Sequence, residues 1–312
     1  MRDRKAGKSL WWTLLIVLGV FAFLGVSLWR EWDTFISYPW QLKWGEIIKM
    51  VIMHILALGF MFLAWHYTMR RLVHQEQWLL NFKIFVVSML ARRIPIPIWY
   101  VGSRVLLYRD EKVPASIVLT ATAFEIALIA WSGILCYVIL LPWYTYTQNW
   151  PTEIFILIAG VLSILLFIRP SLMVELINLA LKALKKNPIQ AAITRLDLLI
   201  WGGLYLATWF IDGLGLYYMV SAFLEAPPAV ASIIGVSTVS ALIALATMLL
   251  PSGFGLKELA MGSMLGAWMP VSAGVVLSFL YRLAQTLVEA AWTLVGQRLP
   301  NPESKYQPKM PN

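Results

Sequence analysis

Eight ionisable side chains fall where an apolar chain tolerates charge least: Arg92, Arg93, Arg104, Glu125, Lys257, Glu258, Arg282 and Glu289. A charge at mid-bilayer costs about 2.5–3.5 kcal/mol, so each should face protein or water and find a partner. The cations suit phosphate, and the carboxylates could balance them, receive a cationic group or relay protons. Lys257 and Glu258 close the stretch Pro251-Ser-Gly-Phe-Gly-Leu-Lys-Glu258, where Pro251, Gly253 and Gly255 loosen an apolar run. Backbone of that kind survives at membrane depth only when buried in protein or wetted by a cavity. A turn opening a short helix also offers free amides to an anion, and Lys257 adds charge to it. Arg92 and Arg93 stand before Pro95 and Pro97, which together forbid a continuous helix, and serve a phosphate or anchor the chain equally well.

Nucleophilic catalysis is poorly supported. Ser103 and Ser252 have no histidine or other base nearby in sequence, and neither His-Glu-x-x-His nor Gly-x-Ser-x-Gly occurs. Asp212 stands alone at its depth, beside Gly213 and Gly215, and reads as a packing ion pair as readily as a working group. Arg282 and Glu289 are seven residues apart on one helix face, and Glu125 is a physically sensible partner for Arg104 or Arg282. His54 lies within an apolar span, with His66 and His74 near or beyond its end. Helix packing and interfacial anchoring suit these three better than zinc. Cys136 is the one cysteine, which excludes disulfides. No cofactor or metal is expected, and no nucleotide-binding loop is present, so active transport would draw on a gradient or on substrate concentration.

The elements that must position these groups are apolar helices. Of 312 residues, 60% are hydrophobic and 13% charged, with a mean hydropathy of +0.73. Soluble domains sit near 45–50% apolar and about 25% charged. The fold class is therefore all-α: a polytopic integral membrane protein, with residues 1–299 as one transmembrane domain and 300–312 as a disordered tail. Spans are predicted at 10–29, 46–67, 115–141, 153–169, 197–222, 229–249 and 271–297, each near the length a bilayer needs. The first is read as a retained helix, since no small-residue cleavage site ends it. Segments 80–104 and 250–269 are re-entrant or broken, which gives seven to eight transmembrane helices. Residues 170–187 read as an amphipathic surface helix ending in Lys182, Lys185 and Lys186.

The net charge of +9 sits in short connections, a distribution that marks cytoplasmic loops and does not make a nucleic-acid surface. Arg2, Arg4, Lys5 and Lys8, then Arg70, Arg71 and Lys83, then Lys182, Lys185, Lys186 and Arg195 all fall on the cytoplasmic side of a cell membrane if the N-terminus is cytoplasmic. Loop 142–152, without charge, then lies outside. This requires 80–104 to enter and leave on one side. The side reached by 250–269, and with it the tail, is left open. Pro95 and Pro114 are nineteen residues apart, as are Pro251 and Pro270, and each second proline opens a long apolar helix carrying ionisable groups. Paired interruptions in two halves point to a transporter site.

Arg92-Arg-Ile-Pro-Ile-Pro-Ile-Trp-Tyr-Val-Gly-Ser-Arg104, then Val113-Pro-Ala-Ser, Glu125 and Trp131-Ser-Gly, resemble the flippase-like transmembrane domain of the lysylphosphatidylglycerol synthase family, which also occurs as a stand-alone membrane protein. Pro251-Ser-Gly-Phe-Gly-Leu-Lys-Glu258 is similar to that family's second motif, Pro-Gly-Gly-Leu/Ile-Gly-x-Arg-Glu, and Arg282 matches its terminal-helix arginine. Ile96 and Ser252 replace family glycines, and Lys257 replaces an arginine, losing bidentate phosphate geometry. The resemblance implies translocation of a polar lipid headgroup, without the soluble synthase activity. It also implies membrane lipids as partners: an anionic or aminoacylated phospholipid, or a polyprenyl-linked headgroup. A membrane-embedded lipid-modifying transferase, or a non-transporting partner of a separate synthase or glycosyltransferase, is the alternative.

Overall fold

The computed structural model describes residues 29, 33, 36, 40, 42–73, 76–93, 98–143, 152–183, 192–247 and 255–300. The expected span 10–29, the tail beyond 300, Lys185 and Lys186, and the predicted hinges Pro95, Pro97, Pro251 and Gly253 lie outside them, apart from Trp29. All regular structure among the described residues is helical. The helices are α1 (Trp44–Val73), α2 (Trp78–Ala91), α3 (Ile98–Asp110), α4 (Ala115–Leu140), α5 (Thr152–Ile168), α6 (Leu172–Ala183), α7 (Arg195–Ser221), α8 (Val230–Thr247), α9 (Leu256–Leu265) and α10 (Val271–Arg298). Among them, α1, α4 with its 3₁₀ extension, α7 and α10 are long and apolar enough to cross a membrane.

The helices begin and end where sequence chemistry stops them. Pro114 and Pro270 are the N-caps of α4 and α10, positions where a missing amide costs nothing. Thr194 and Asp197 form a reciprocal capping box at the start of α7. Outward faces are apolar: Ile154, Leu157 and Ile164 on α5, and Leu283, Leu287 and Leu294 on α10, are exposed side chains suited to lipid.

Pairings along the helices fix their directions. The amide of Lys43 donates to Ala222 O at 3.0 Å at one end of the α1–α7 pair. At the other end Tyr67 and Arg71 donate to Asp197 at 2.5 and 2.6 Å, so α1 and α7 are antiparallel. Against α10, Gly215 faces Tyr281, while Gln285 donates to Asp212 at 3.1 Å, so α7 and α10 are also antiparallel. Helix α10 therefore begins on the face where α1 begins, here the Trp44 face. It ends with Arg298 on the Val73 face, alongside Arg70 and Arg71. Arg195 donates to Phe167 O at 3.0 Å, which brings the end of α5 to the Val73 face too.

Helices α2 and α9 both run against α10, in series. Thr293 Oγ1 donates to Val86 O at 3.0 Å and Arg93 binds Glu289, so α2 descends from the Val73 face and stops beside Glu289. Gly262 packs on Val275, and Arg282 binds Glu258, so α9 starts beside Arg282 and leaves on the Trp44 face. At 1.5 Å per residue, the fourteen residues of α2 and ten of α9 span about 21 and 15 Å, together near the roughly 30 Å hydrocarbon thickness.

Each half-helix belongs to a hairpin. Tyr108 of α3 donates to Asn81 at 2.7 Å, and Arg104 donates to Ser88 at 3.0 Å, so α3 returns beside α2 to the face it left. Helix α9 likewise returns to the Trp44 face, where α8 set out. The two hairpins open on opposite faces, and each leads through a proline cap into a long helix. The expected same-side return of 80–104 is thus what α2 and α3 do, and in the described part of 250–269 helix α9 returns to the Trp44 face while α10 carries Arg298 to the Arg70 face. Two glycine features make the second hairpin possible. Gly255 N-caps α9 at φ 92°, a left-handed conformation that L side chains resist. A Cβ on Gly274 would sit 2.6 Å from Gly262 O, so α9 and α10 meet backbone to backbone.

Candidate functional site

The tips of the two half-helices converge beside the middle of α10, and most of the singled-out charges converge with them. From the end of α2, Arg93 donates to Glu289 through Nε and a terminal nitrogen, at 2.7 and 2.6 Å, and Arg92 lies 3.8 Å from the same carboxylate. From the start of α9, Glu258 accepts from Arg282 at 2.7 Å. Lys257 is within Coulombic reach of Asp212, Arg93, Glu258 and Arg92. The α9 N-terminus directs its positive dipole end here, and the two arginines answer the negative C-terminal end of α2.

Burial sets two of the carboxylates apart from the cations. The carboxylates of Glu289 and Glu258 are 0% and 3% exposed, whereas Arg93, Arg282 and Arg92 are 17%, 22% and 36% exposed. Lys257 is also half-buried. Cations thus line the accessible side together with Asp212, whose side chain is 19% exposed, and Glu258 and Glu289 stand behind them. Arg92, Arg93, Lys257 and Arg282 face three carboxylates, Asp212, Glu258 and Glu289, which leaves the centre net positive. Oε2 of Glu258 has no hydrogen-bond partner among the described residues.

Three residues of this centre were missed or misjudged from sequence. Asp212 does not stand alone. His54 Nδ1 of α1 lies 3.0 Å from its carboxylate, and Gln285 Nε2 donates to the same oxygen at 3.1 Å. His54 is more than a packing residue, since its Nε2 also lies 3.7 Å from Glu289. Gln285 went unremarked although it lies between Arg282 and Glu289 on their shared helix face. The tight packing expected from Gly213 is present: a Cβ there would meet Ile234 Cα at 3.0 Å. No cluster of His, Cys, Asp or Glu capable of holding a metal occurs among the described residues.

Arg104 and Glu125 form a separate, closed cluster. Both side chains are fully buried and bonded to each other through both terminal nitrogens of the arginine. Tyr100 donates to Glu125 at 2.5 Å, Arg104 Nε donates to Ser88, and the guanidinium lies 3.7 Å over the Trp65 ring. Trp65 in turn donates to Tyr108, which donates to Asn81. The network joins α1, α2, α3 and α4 and turns every donor of Arg104 that it engages inward. Such a pair braces the first hairpin from behind. The expected choice between Arg104 and Arg282 as partner of Glu125 falls to Arg104.

No protein-family model, curated protein or solved structure matches this chain. The arrangement has to be read from its own chemistry: half-helix ends, a net positive centre at mid-depth, and apolar surfaces around it.

Proposed function

We propose that the protein is a flippase-like lipid translocase, passing a polar, charged headgroup through a hydrated intramembrane centre while the tails stay in lipid. The observation that carries this reading is the layering of charge beside mid-α10, with exposed Arg92 and half-buried Arg93, Lys257 and Arg282 in front of buried Glu258 and Glu289. Arg104 and Glu125, by contrast, are both sealed. Opposed hairpins entering from the two faces are the form in which transporters place broken helices around a midplane site. The motif resemblance to the flippase-like domain of lysylphosphatidylglycerol synthases supplies the lipid class.

The same reading places the Val73 face in the cytoplasm of a cell membrane, since Arg70, Arg71, Arg109, Lys112, Arg169, Lys182, Arg195 and Arg298 gather there. With α5 as a further crossing and the α2–α3 and α8–α9 hairpins each returning to the face they left, five of the described helices span the bilayer, and the span read at 10–29, outside the described residues, makes six where seven to eight were expected. Reconstitution with fluorescent phosphatidylglycerol, phosphatidylethanolamine and phosphatidylcholine tests the function. Accelerated loss of leaflet asymmetry supports transport. A chemically altered lipid supports a transferase, and neither outcome leaves the protein a partner of a separate synthase or glycosyltransferase.

A further inference from the structure

The geometry points to His54 as a proton-binding site that couples protonation to capture of an anionic, phosphate-bearing headgroup. This deepens the translocase reading and rests on it. His54 sits in α1 with a carboxylate at each ring nitrogen: Asp212 Oδ1 3.0 Å from Nδ1, and Glu289 Oε1 3.7 Å from Nε2. Its side chain is 5% exposed, and Nε2 has no hydrogen-bond partner among the described residues. A neutral imidazole has one N–H and can satisfy only one carboxylate, leaving a lone pair toward the other. An imidazolium satisfies both.

The second carboxylate is the one that holds the tip of the first hairpin. Glu289 accepts both donors of Arg93, with Arg92 at 3.8 Å. One proton taken up at Nε2 adds one positive charge and, with a closing of about 1 Å, makes Glu289 the acceptor of an imidazolium. The carboxylate then shares its charge between ring and guanidinium, and Arg93 is freed to meet an anion on its accessible side. Among the described residues, the charged groups of the centre are Asp212 on α7, Glu289 and Arg282 on α10, Arg92 and Arg93 at the end of α2, and Lys257 and Glu258 at the start of α9, with the Tyr281 hydroxyl of α10 donating to Asp212 O. Gln285 Nε2, 3.4 Å from His54 Nδ1, can donate to that nitrogen when it carries no proton, which stabilises the alternative tautomer. Added charge and released Arg93 act in the same direction. Protonation favours anion binding, and by linkage anion binding favours proton uptake.

The test uses purified full-length protein in micelles with phosphatidylglycerol or phosphatidylcholine. The sequence has three histidines, so ring-labelled imidazole spectra of the wild type resolve His54 against His66 and His74 as internal references. Phosphatidylglycerol, but not phosphatidylcholine, should move the His54 signal toward its protonated position at fixed pH. Its affinity should tighten about tenfold between about pH 8 and 5. A weakly buffered dye should report proton uptake on adding phosphatidylglycerol to the wild type, and none with His54→Gln at matched lipid occupancy. A His54 signal indifferent to phosphatidylglycerol, or undiminished uptake in His54→Gln, overturns the proposal. Lipid movement without a His54 response sinks the coupling and leaves transport standing. A His54 response without lipid movement upholds the coupling and sinks transport.

Discussion

Arg93 and Glu289, 196 residues apart in sequence, meet through two hydrogen bonds of 2.7 and 2.6 Å, and that pair fastens the tip of the first hairpin to the middle of the last helix. The carboxylate is sealed and the guanidinium is not, so the two halves of the pair are unequal in what their loss exposes. Removing Arg93 strands a buried negative charge, a change of the kind that costs about 3–5 kcal/mol. Arg93→Ala should therefore lower thermal stability in detergent as well as lipid movement. Arg93→Ala with Glu289→Gln should recover most of the stability and none of the movement. Fluorescence-detected melting beside a reconstituted flip assay reads both.

Lys257 offers the cleaner test of headgroup contact. It has no salt bridge among the described residues, whereas Arg282 neutralises buried Glu258. Lys257→Ala should slow phosphatidylglycerol movement by about tenfold or more, the weight of a lost charge-assisted contact, and change the melting temperature little. Arg282→Ala should lower both. Unimpaired movement in Lys257→Ala would remove it from the site.

Arg104 and Glu125 should behave as a brace. Glu125→Gln leaves a buried guanidinium short of charge and should cost about 3–5 kcal/mol, whereas Arg104→Met with Glu125→Leu should regain much of that loss. If the pair only positions the hairpin, the stable double variant still moves lipid. The flip assay on that variant decides it, and a stable but inactive protein would return both residues to the headgroup path.

The backbone contact between α9 and α10 admits no side chain. Gly274→Val must push α10 off Gly262 O, and should reduce folded yield and activity together, by at least the 1–3 kcal/mol typical of overpacking. Gly255→Ala should cost about 1–2 kcal/mol through its left-handed φ. Size-exclusion yield and melting measure both changes.

The helices were legible in the sequence because bilayer thickness fixes their length. The predicted 115–141 and 271–297 spans match Ala115–Leu140 and Val271–Arg298 within a residue or two. The break in 80–104 was legible as well, since α2 and α3 are separate antiparallel helices, and so was Gly255, whose left-handed φ opens α9. What could not be read was pairing. His54 and Asp212 lie 158 residues apart, each a single polar group in an apolar run, and no local spacing joins them. The charge on Glu125 was visible, but its burial against Arg104, Tyr100 and Trp65 depends on how α1, α3 and α4 pack. The face reached by α9 also depended on packing, because 250–269 is apolar enough to be read either way.

A hydrated centre requires that water reach the meeting point of the two half-helices. Lys257→Cys, in a background with buried Cys136 replaced by serine, should react with a charged, membrane-impermeant thiol reagent in reconstituted protein, and phosphatidylglycerol should slow the reaction where phosphatidylcholine does not. A cysteine at the lipid-facing Leu287 should stay unreactive as the control. Equal inertness at 257 and 287 in folded protein would mean a dry centre, and the site described above would not exist.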